Sequence, residues 1–224
     1  MIAATIVCAL ACAALVAAEY KHWRIVRAVA KAFASGGFVT LALLTLTTCD
    51  RLLPPWSEYQ LYMIVGLVLG MAGDIALLGK SEGAFLAGLT AFLLGHIAYI
   101  VGFAQLAPPS TWLDVRALIP LVVGGTALRL LWSRLGSMRV PVIAYVIAIV
   151  LMMSAALAAS RMPAIALQNR VLLVVGAALF FLSDLAVAKE KFVAASFATR
   201  AWGLPAYFAG QLLIAWSLLP AACP

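Results

Sequence analysis

About eight apolar stretches follow one another along this chain, separated by breaks of only a few residues. A bilayer core about 30 Å thick is crossed by a helix of about 20 apolar residues. The stretches fall near residues 2–18, 28–48, 60–79, 84–106, 116–133, 140–160, 168–188 and 202–219. In a chain of 224 residues they leave no room for an extramembrane domain. The expectation is therefore one all-α domain over residues 1–224, a polytopic bundle of about eight transmembrane helices. Composition agrees: 66% of residues are apolar and 10% charged, against roughly 25% charged in a soluble domain.

The breaks carry turn and boundary chemistry. Pro54-Pro55, Pro108-Pro109 and Pro163 lie between stretches, where proline stops a helix. Trp23, Trp56, Trp112, Trp132 and Trp202 fall near span ends, as an interfacial aromatic belt requires. The net charge of +7 comes from basic clusters between the spans rather than from a stripe on a soluble face, which argues for topology signals and against nucleic acid. Lys21, Arg24, Arg27, Lys80, Arg134, Arg139, Lys189, Lys191 and Arg200 fall on one side; Arg51, Arg116, Arg161 and Arg170 fall on the other. The positive-inside rule then places both termini outside the cytoplasm. Brevity and alanine richness point to a bacterial inner membrane. Residues 2–18 lack a preceding basic region and are followed by one, the pattern of a retained first span. Cys8, Cys12, Cys49 and Cys223 show no paired spacing and read as packing residues.

The segment Gly73-Asp74-Ile75-Ala76 in the third span echoes Ser183-Asp184-Leu185-Ala186 in the seventh. Four spans separate them, as in a 4+4 parallel repeat.

Ionisable groups inside a span cost several kcal/mol and mark function by default. Here they are Lys31, Asp74, His96, Arg129 and Asp184, with Tyr99, Tyr145, Ser183, Tyr207 and Gln211 as neutral companions. At about 1.5 Å per residue, Asp74 and Asp184 both sit roughly 6–8 Å below the same membrane face. Lys31 and Tyr207 lie near the same face, and His96 and Gln211 deeper toward the middle; polar groups from four or five helices thus share the cytoplasmic half, which implies one pocket opening to that side. Two carboxylates in such a pocket hold one proton between them, which supplies a general acid and a general base together. Bland alternatives stand beside this. An intramembrane Asp also bridges helices by hydrogen bonds. Lys31 and Arg129 reach the interface by snorkelling. His96, Tyr99 and Tyr145 also fit as core side chains, and Gly73, Gly88 and Gly176 as helix-packing glycines.

At these positions the sequence resembles the lysoplasmalogenase family, the YhhN-like membrane proteins. The resemblance runs from Lys31 through Gly73-Asp74, then Phe85, Gly88, Phe92, His96 and Tyr99. It continues with Tyr145, Met152, Phe180, Ser183-Asp184, Tyr207 and Gln211. Ala32 stands where the family often has proline. The resemblance implies hydrolysis of the vinyl ether bond of lysoplasmalogens to a fatty aldehyde and a glycerophospho-ethanolamine or -choline. It implies a lysophospholipid substrate drawn from the membrane, with no cofactor and no metal. Asp74 and Asp184 would be catalytic, in either order. Lys31, His96, Tyr99, Tyr145, Ser183, Tyr207 and Gln211 would contact substrate, Lys31 as the phosphate holder. The oligomeric state is left open.

Three other readings compete. A proton-coupled transporter or lipid flippase also uses buried Asp, Lys and His. An intramembrane aspartyl protease also needs two aspartates, but the run here is Met71-Ala72-Gly73-Asp74 and the second motif is Ser-Asp. A zinc amidohydrolase needs about three protein ligands, and the only histidines are His22 and His96.

Overall fold

The computed structural model describes residues 1–47 and 57–219. Cys49, Arg51, Pro54, Pro55, Trp56 and Cys223, to which the sequence assigns packing, topology, turn or belt roles, lie outside the described residues. The rest is helical, with no strand among the described residues. The helices are α1 (Ile2–Lys21), α2 (Arg24–Leu46), α3 (Glu58–Ala76), α4 (Glu82–Leu106), α5 (Leu118–Leu131), α6 (Arg139–Ala159), α7 (Leu167–Phe192) and α8 (Phe197–Trp216). An all-helical answer follows from the solvent, because lipid offers no partner for backbone N–H and C=O groups.

Seven of these helices are long and apolar enough to cross a membrane, α5 together with the single 3-10 turns at its ends. The chain is an integral membrane protein. The eighth, α8, carries Arg200, Tyr207 and Gln211. Tyr207 and Gln211 are buried inside the bundle, so its polarity faces protein rather than lipid. Several helices run past the apolar stretches that announce them: α1 reaches Lys21, α7 reaches Phe192, and α8 starts at Phe197. Caps set these ends. The Ser196 hydroxyl accepts the Thr199 N–H at 3.2 Å, and Glu190 Oε1 accepts the Ser196 N–H at 2.6 Å. Between α1 and α2 the turn is only His22 and Trp23, with His22 in the left-handed region at φ 58°.

Three antiparallel hairpins, α1–α2, α3–α4 and α7–α8, form most of the bundle. In the first half α2 packs on α3, and in the second α6 packs on α7. Across the halves α2 meets α8 and α4 meets α6, the reciprocal contacts expected of two four-helix units. Small residues let the helices close up. A Cβ on Gly176 would lie 2.8 Å from the Gly210 carbonyl oxygen, and one on Gly210 would lie 2.8 Å from that of Gly176. Gly73 and Gly88 play the same role between α3 and α4: a Cβ on either would come within 2.7 Å of Phe92 or Leu77. Cys8 and Cys12 are buried free thiols packed in the core. Large aliphatic side chains such as Ile2, Ile25, Ile119 and Val140 point outward to lipid.

Of the belt tryptophans described, Trp23, Trp132 and Trp202 are exposed near helix ends, but Trp112 is buried. Its indole N–H donates to the Ala107 carbonyl at 3.0 Å, so it pins the α4–α5 connection instead of facing lipid. At that same end Arg161 pairs with Asp114 and donates to the Thr111 carbonyl at 2.9 Å, tying the α6–α7 turn to the α4–α5 connection.

Candidate active site

Asp74 sits near the end of α3, on the turn where Gly73 lets the Phe92 ring of α4 approach. Its carboxylate is buried and paired: Lys31 Nζ lies 3.2 Å from Oδ1, and the Ser35 hydroxyl donates to Oδ2 at 2.5 Å. Lys31 and Ser35 are one helical turn apart on α2, so one face of α2 supplies both. Lys31 therefore does not snorkel away. Its ammonium is held at the carboxylate, with only 12% of the side chain exposed.

Asp184 occupies the corresponding place on α7 and has different partners. Tyr145 of α6 donates its hydroxyl to Oδ1 at 3.0 Å, and His96 Nε2 of α4 lies 3.3 Å from Oδ2. The other ring nitrogen, Nδ1, is 2.7 Å from the Phe92 carbonyl oxygen. A carbonyl only accepts, so Nδ1 carries a hydrogen. Neither His96 Nε2 nor Asp184 Oδ2 has a hydrogen bond elsewhere. The two atoms face each other at 3.3 Å. His96 is fully buried and its ring stacks on Phe180 at 4.5 Å between centroids.

The sequence suggests one proton shared by the two aspartates. The structure arranges the charges otherwise: each acid has its own basic partner, and no hydrogen bond among the described residues joins them. What connects them is space. Lys31, Asp74, Ser183, Asp184 and Tyr207 all border one cavity of about 330 Å³. Phe92, Phe180 and Tyr207 form an aromatic wall beside it, with ring centroids 5.6–6.3 Å apart. Behind this wall the remaining sequence-derived candidates form a buried relay. Tyr99 donates to Gln211 Oε1 at 2.6 Å. Gln211 Nε2 and the Tyr207 hydroxyl converge above Gly70, where a Cβ would lie 3.0 and 3.1 Å from them. Tyr207 in turn faces Asp74. Ser183 turns its hydroxyl onto the Phe180 carbonyl at 2.7 Å, a local helix bond rather than a bond to either acid. His96, Tyr99, Tyr145 and Gln211 thus stand behind the acids and do not border the cavity. Arg129 is exposed on α5 and takes no part in the site.

The cavity runs toward the Lys- and Arg-rich end of the bundle, where Glu19, Arg27, Glu190, Lys191 and Arg200 border it. Arg200 bridges Glu19 at 3.0 Å and Glu190 at 2.7 Å. Arg27 reaches Glu19 at 3.6 Å and the Leu78 carbonyl at 3.4 Å. In the sequence these residues look like topology charges at span ends. Ser35 is likewise silent there, and only its position one turn after Lys31 hints at it. Among the described residues no three His, Cys, Asp or Glu side chains converge as a metal site would require.

The arrangement is a membrane-embedded chamber walled by both charged and apolar side chains and bordered by two acids of unlike surroundings. Residues 26–218 match the model of the YhhN family. Bovine lysoplasmalogenase TMEM86A is 31% identical over 165 residues, covering 72% of this chain and 67% of the bovine one, and human lysoplasmalogenase TMEM86A matches to the same extent. The uncharacterized membrane protein YhhN of Escherichia coli O157:H7 is 28% identical over 182 residues, covering 81% of this chain and 85% of its own. No solved structure matches. With residues 26–218 inside the family model, this chain belongs to the YhhN family.

Proposed function

We propose that the protein is a lysoplasmalogenase, hydrolysing the vinyl ether bond of a single-chain alkenyl glycerophospholipid. One observation carries the reading: a buried carboxylate, Asp74, and a partly buried one, Asp184, border the same chamber in unlike environments. Vinyl ether hydrolysis needs both kinds of group. A proton must reach the β-carbon, the alkene carbon away from oxygen, leaving an oxocarbenium ion. Water then adds at the carbon bound to oxygen and loses a proton. The resulting hemiacetal collapses to a fatty aldehyde and the glycerol hydroxyl, so one water is consumed and no proton is gained or lost overall.

The partners divide the labour. Asp184 holds a proton together with His96 and is the general acid. Asp74, charge-paired with Lys31 and hydrogen-bonded by Ser35, is the anionic carboxylate that stabilises the cation and takes the proton from water. Tyr145 orients Asp184; Tyr207, positioned through Gln211 and Tyr99, orients Asp74 and the water. Lys31 is buried against Asp74, whereas Arg27 and Arg200 are about a third exposed, so the lipid phosphate falls to these two, in exchange for part of their pairing with Glu19 and Glu190, with Arg geometry suited to phosphate oxygens. In the cell the chamber faces the cytoplasmic leaflet of a bacterial inner membrane.

The test is detergent-purified protein offered alkenyl and acyl lysophospholipids side by side, with aldehyde and fatty acid both measured. Aldehyde from the alkenyl lipid is the expected product. Fatty acid from the acyl lipid without aldehyde would make the protein an esterase and overturn the reading. Movement of lipid across a sealed vesicle with no covalent product would favour the flippase alternative instead.

A further inference from the structure

We infer that the hydrocarbon chain of the lysolipid lies in an apolar cleft between α4, α5, α6 and α7, separate from the polar chamber and joined to it at Asp184. This rests on the proposed hydrolase reading and adds the place of the chain. The cleft has a volume of about 70 Å³ and is walled by side chains such as Leu89, Leu128, Val146, Ile149 and Phe181. Asp184 and Tyr145 are the polar side chains bordering it, the same two that share a hydrogen bond.

Cleft and chamber meet along one edge. Leu77, Phe85, Phe92, Asp184 and Val187 border both. A molecule with a polar head and a single apolar chain, cleaved where the two join, fits across that edge and no other way round. The chamber's mouth holds Arg27, Arg200, Glu19 and Glu190, which suit a phosphate and an ammonium. The cleft offers hydrocarbon. The bond at the junction then presents its chain-side carbon to Asp184 and its oxygen-side carbon toward the Asp74 chamber. That order matches the chemistry, since the chain-side carbon takes the proton and the oxygen-side carbon takes the water.

Entry from the bilayer is provided by α5. Its α-helical part has only 14 residues, packs chiefly on α6, and exposes Ile119, Val122 and Leu130 to lipid. Along α6 the cleft runs from Val142 to Ile149, about 10 Å at the helical rise. It therefore grips the first carbons of the chain and lets the remainder continue toward lipid.

Two measurements test the assignment. The first fills the cleft from α5 with Ala127→Phe or Leu128→Trp, both away from the acids, with Ile119→Phe on the lipid-facing side as control. Filling the cleft lowers kcat/KM for a long-chain alkenyl lysophospholipid by about tenfold or more relative to an analogue whose alkenyl group is only two or three carbons long and so does not reach into the cleft, while the control leaves the ratio unchanged. Equal loss for both chain lengths in a protein that still elutes as a folded species overturns the inference. The second uses a saturated alkyl-ether lysophosphatidylethanolamine with a diazirine on its chain, which cannot be hydrolysed as a vinyl ether. Its crosslinks are expected on the α4, α5, α6 and α7 faces of the cleft and are competed by unlabelled lysolipid. Crosslinks confined to α1 and α2, or cleft crosslinks that lysolipid does not compete because a bilayer chain or a second copy occupies it, overturn the inference. Competed crosslinks in the cleft without aldehyde from any alkenyl lipid uphold the chain site and remove the hydrolase reading.

Discussion

Asp74 and Asp184 look alike in sequence and differ in their neighbours, so their substitutions should differ in kind. Asp184→Asn keeps shape and removes the transferable proton. General acid catalysis is worth about 10²–10⁴-fold, and kcat for aldehyde release should fall by that order while the protein remains folded. His96→Gln should lower kcat less and displace the pH profile of kcat, a shift that a purely packing role for His96 would not produce. That profile also reflects the other charges around the chamber, Lys31, Asp74, Arg27, Glu19, Glu190, Lys191 and Arg200, so the informative comparison is between His96→Gln and wild type. At Asp74 the expected effect is on stability as well. Its side chain is 4% exposed and that of Lys31 12%, and removing one partner of a buried pair costs about 3–5 kcal/mol because the other is left charged and unpaired. Lys31→Met should therefore melt well below wild type in detergent. Lys31→Met combined with Asp74→Leu should recover most of the melting temperature and none of the activity. If the single variant melts like wild type, Lys31 is not holding a buried charge.

At the level of helices, close approach is set by a few small residues, and their substitutions should be graded by what a methyl group meets. Gly210→Ala puts its Cβ 2.8 Å from the Gly176 carbonyl oxygen and 3.0 Å from the Phe180 amide nitrogen. Neither is a movable side-chain end, so α7 and α8 must part, at a cost of about 1–3 kcal/mol for overpacking. Gly36→Ala meets nothing within 4 Å and should raise stability by up to about 1 kcal/mol through helix propensity. Thermal unfolding of the two variants in one detergent checks the contrast. The same packing explains what the sequence could and could not disclose. The spans were legible because unbroken apolar runs of bilayer length have one stable outcome. Asp74, Asp184, Lys31 and His96 were legible because charge inside a span is costly enough to demand a reason. Which base pairs with which acid was not legible, because that depends on how each helix is rotated, and rotation follows from contacts such as Gly73 against Phe92 and Gly66 against Tyr99. Arg27, Arg200, Glu19 and Glu190 were hidden for another reason: at span ends a charge is cheap, so its presence announces nothing.

Across the whole molecule the two acids are mounted in the same way. Ser35 and Asp74 are 39 residues apart, as are Tyr145 and Asp184, and each pair joins the second helix of a half to the third. The fourth helix is exchanged: His96 on α4 serves Asp184 on α7, while Tyr207 on α8 faces Asp74 on α3. A repeat in which each half lends its last helix to the other half's acid has a consequence for assembly. Neither half completes an acid's surroundings alone, yet each consists of helices that insert and form their own backbone hydrogen bonds independently. Their association is carried by α2 against α8, α4 against α6 and α1 against α8. The α4–α5 connection crosses no part of the chamber, so cutting it leaves every site contact in place. Co-expressed fragments split near Ser110 should therefore copurify through a tag on one of them and release aldehyde at a substantial fraction of the intact rate, while either fragment alone releases none. Copurification without activity would mean that the connection, including Trp112 on the Ala107 carbonyl, is needed to seat α4. Aldehyde from the α5–α8 fragment alone would show that Asp184 works without His96 and would undo the exchanged arrangement altogether.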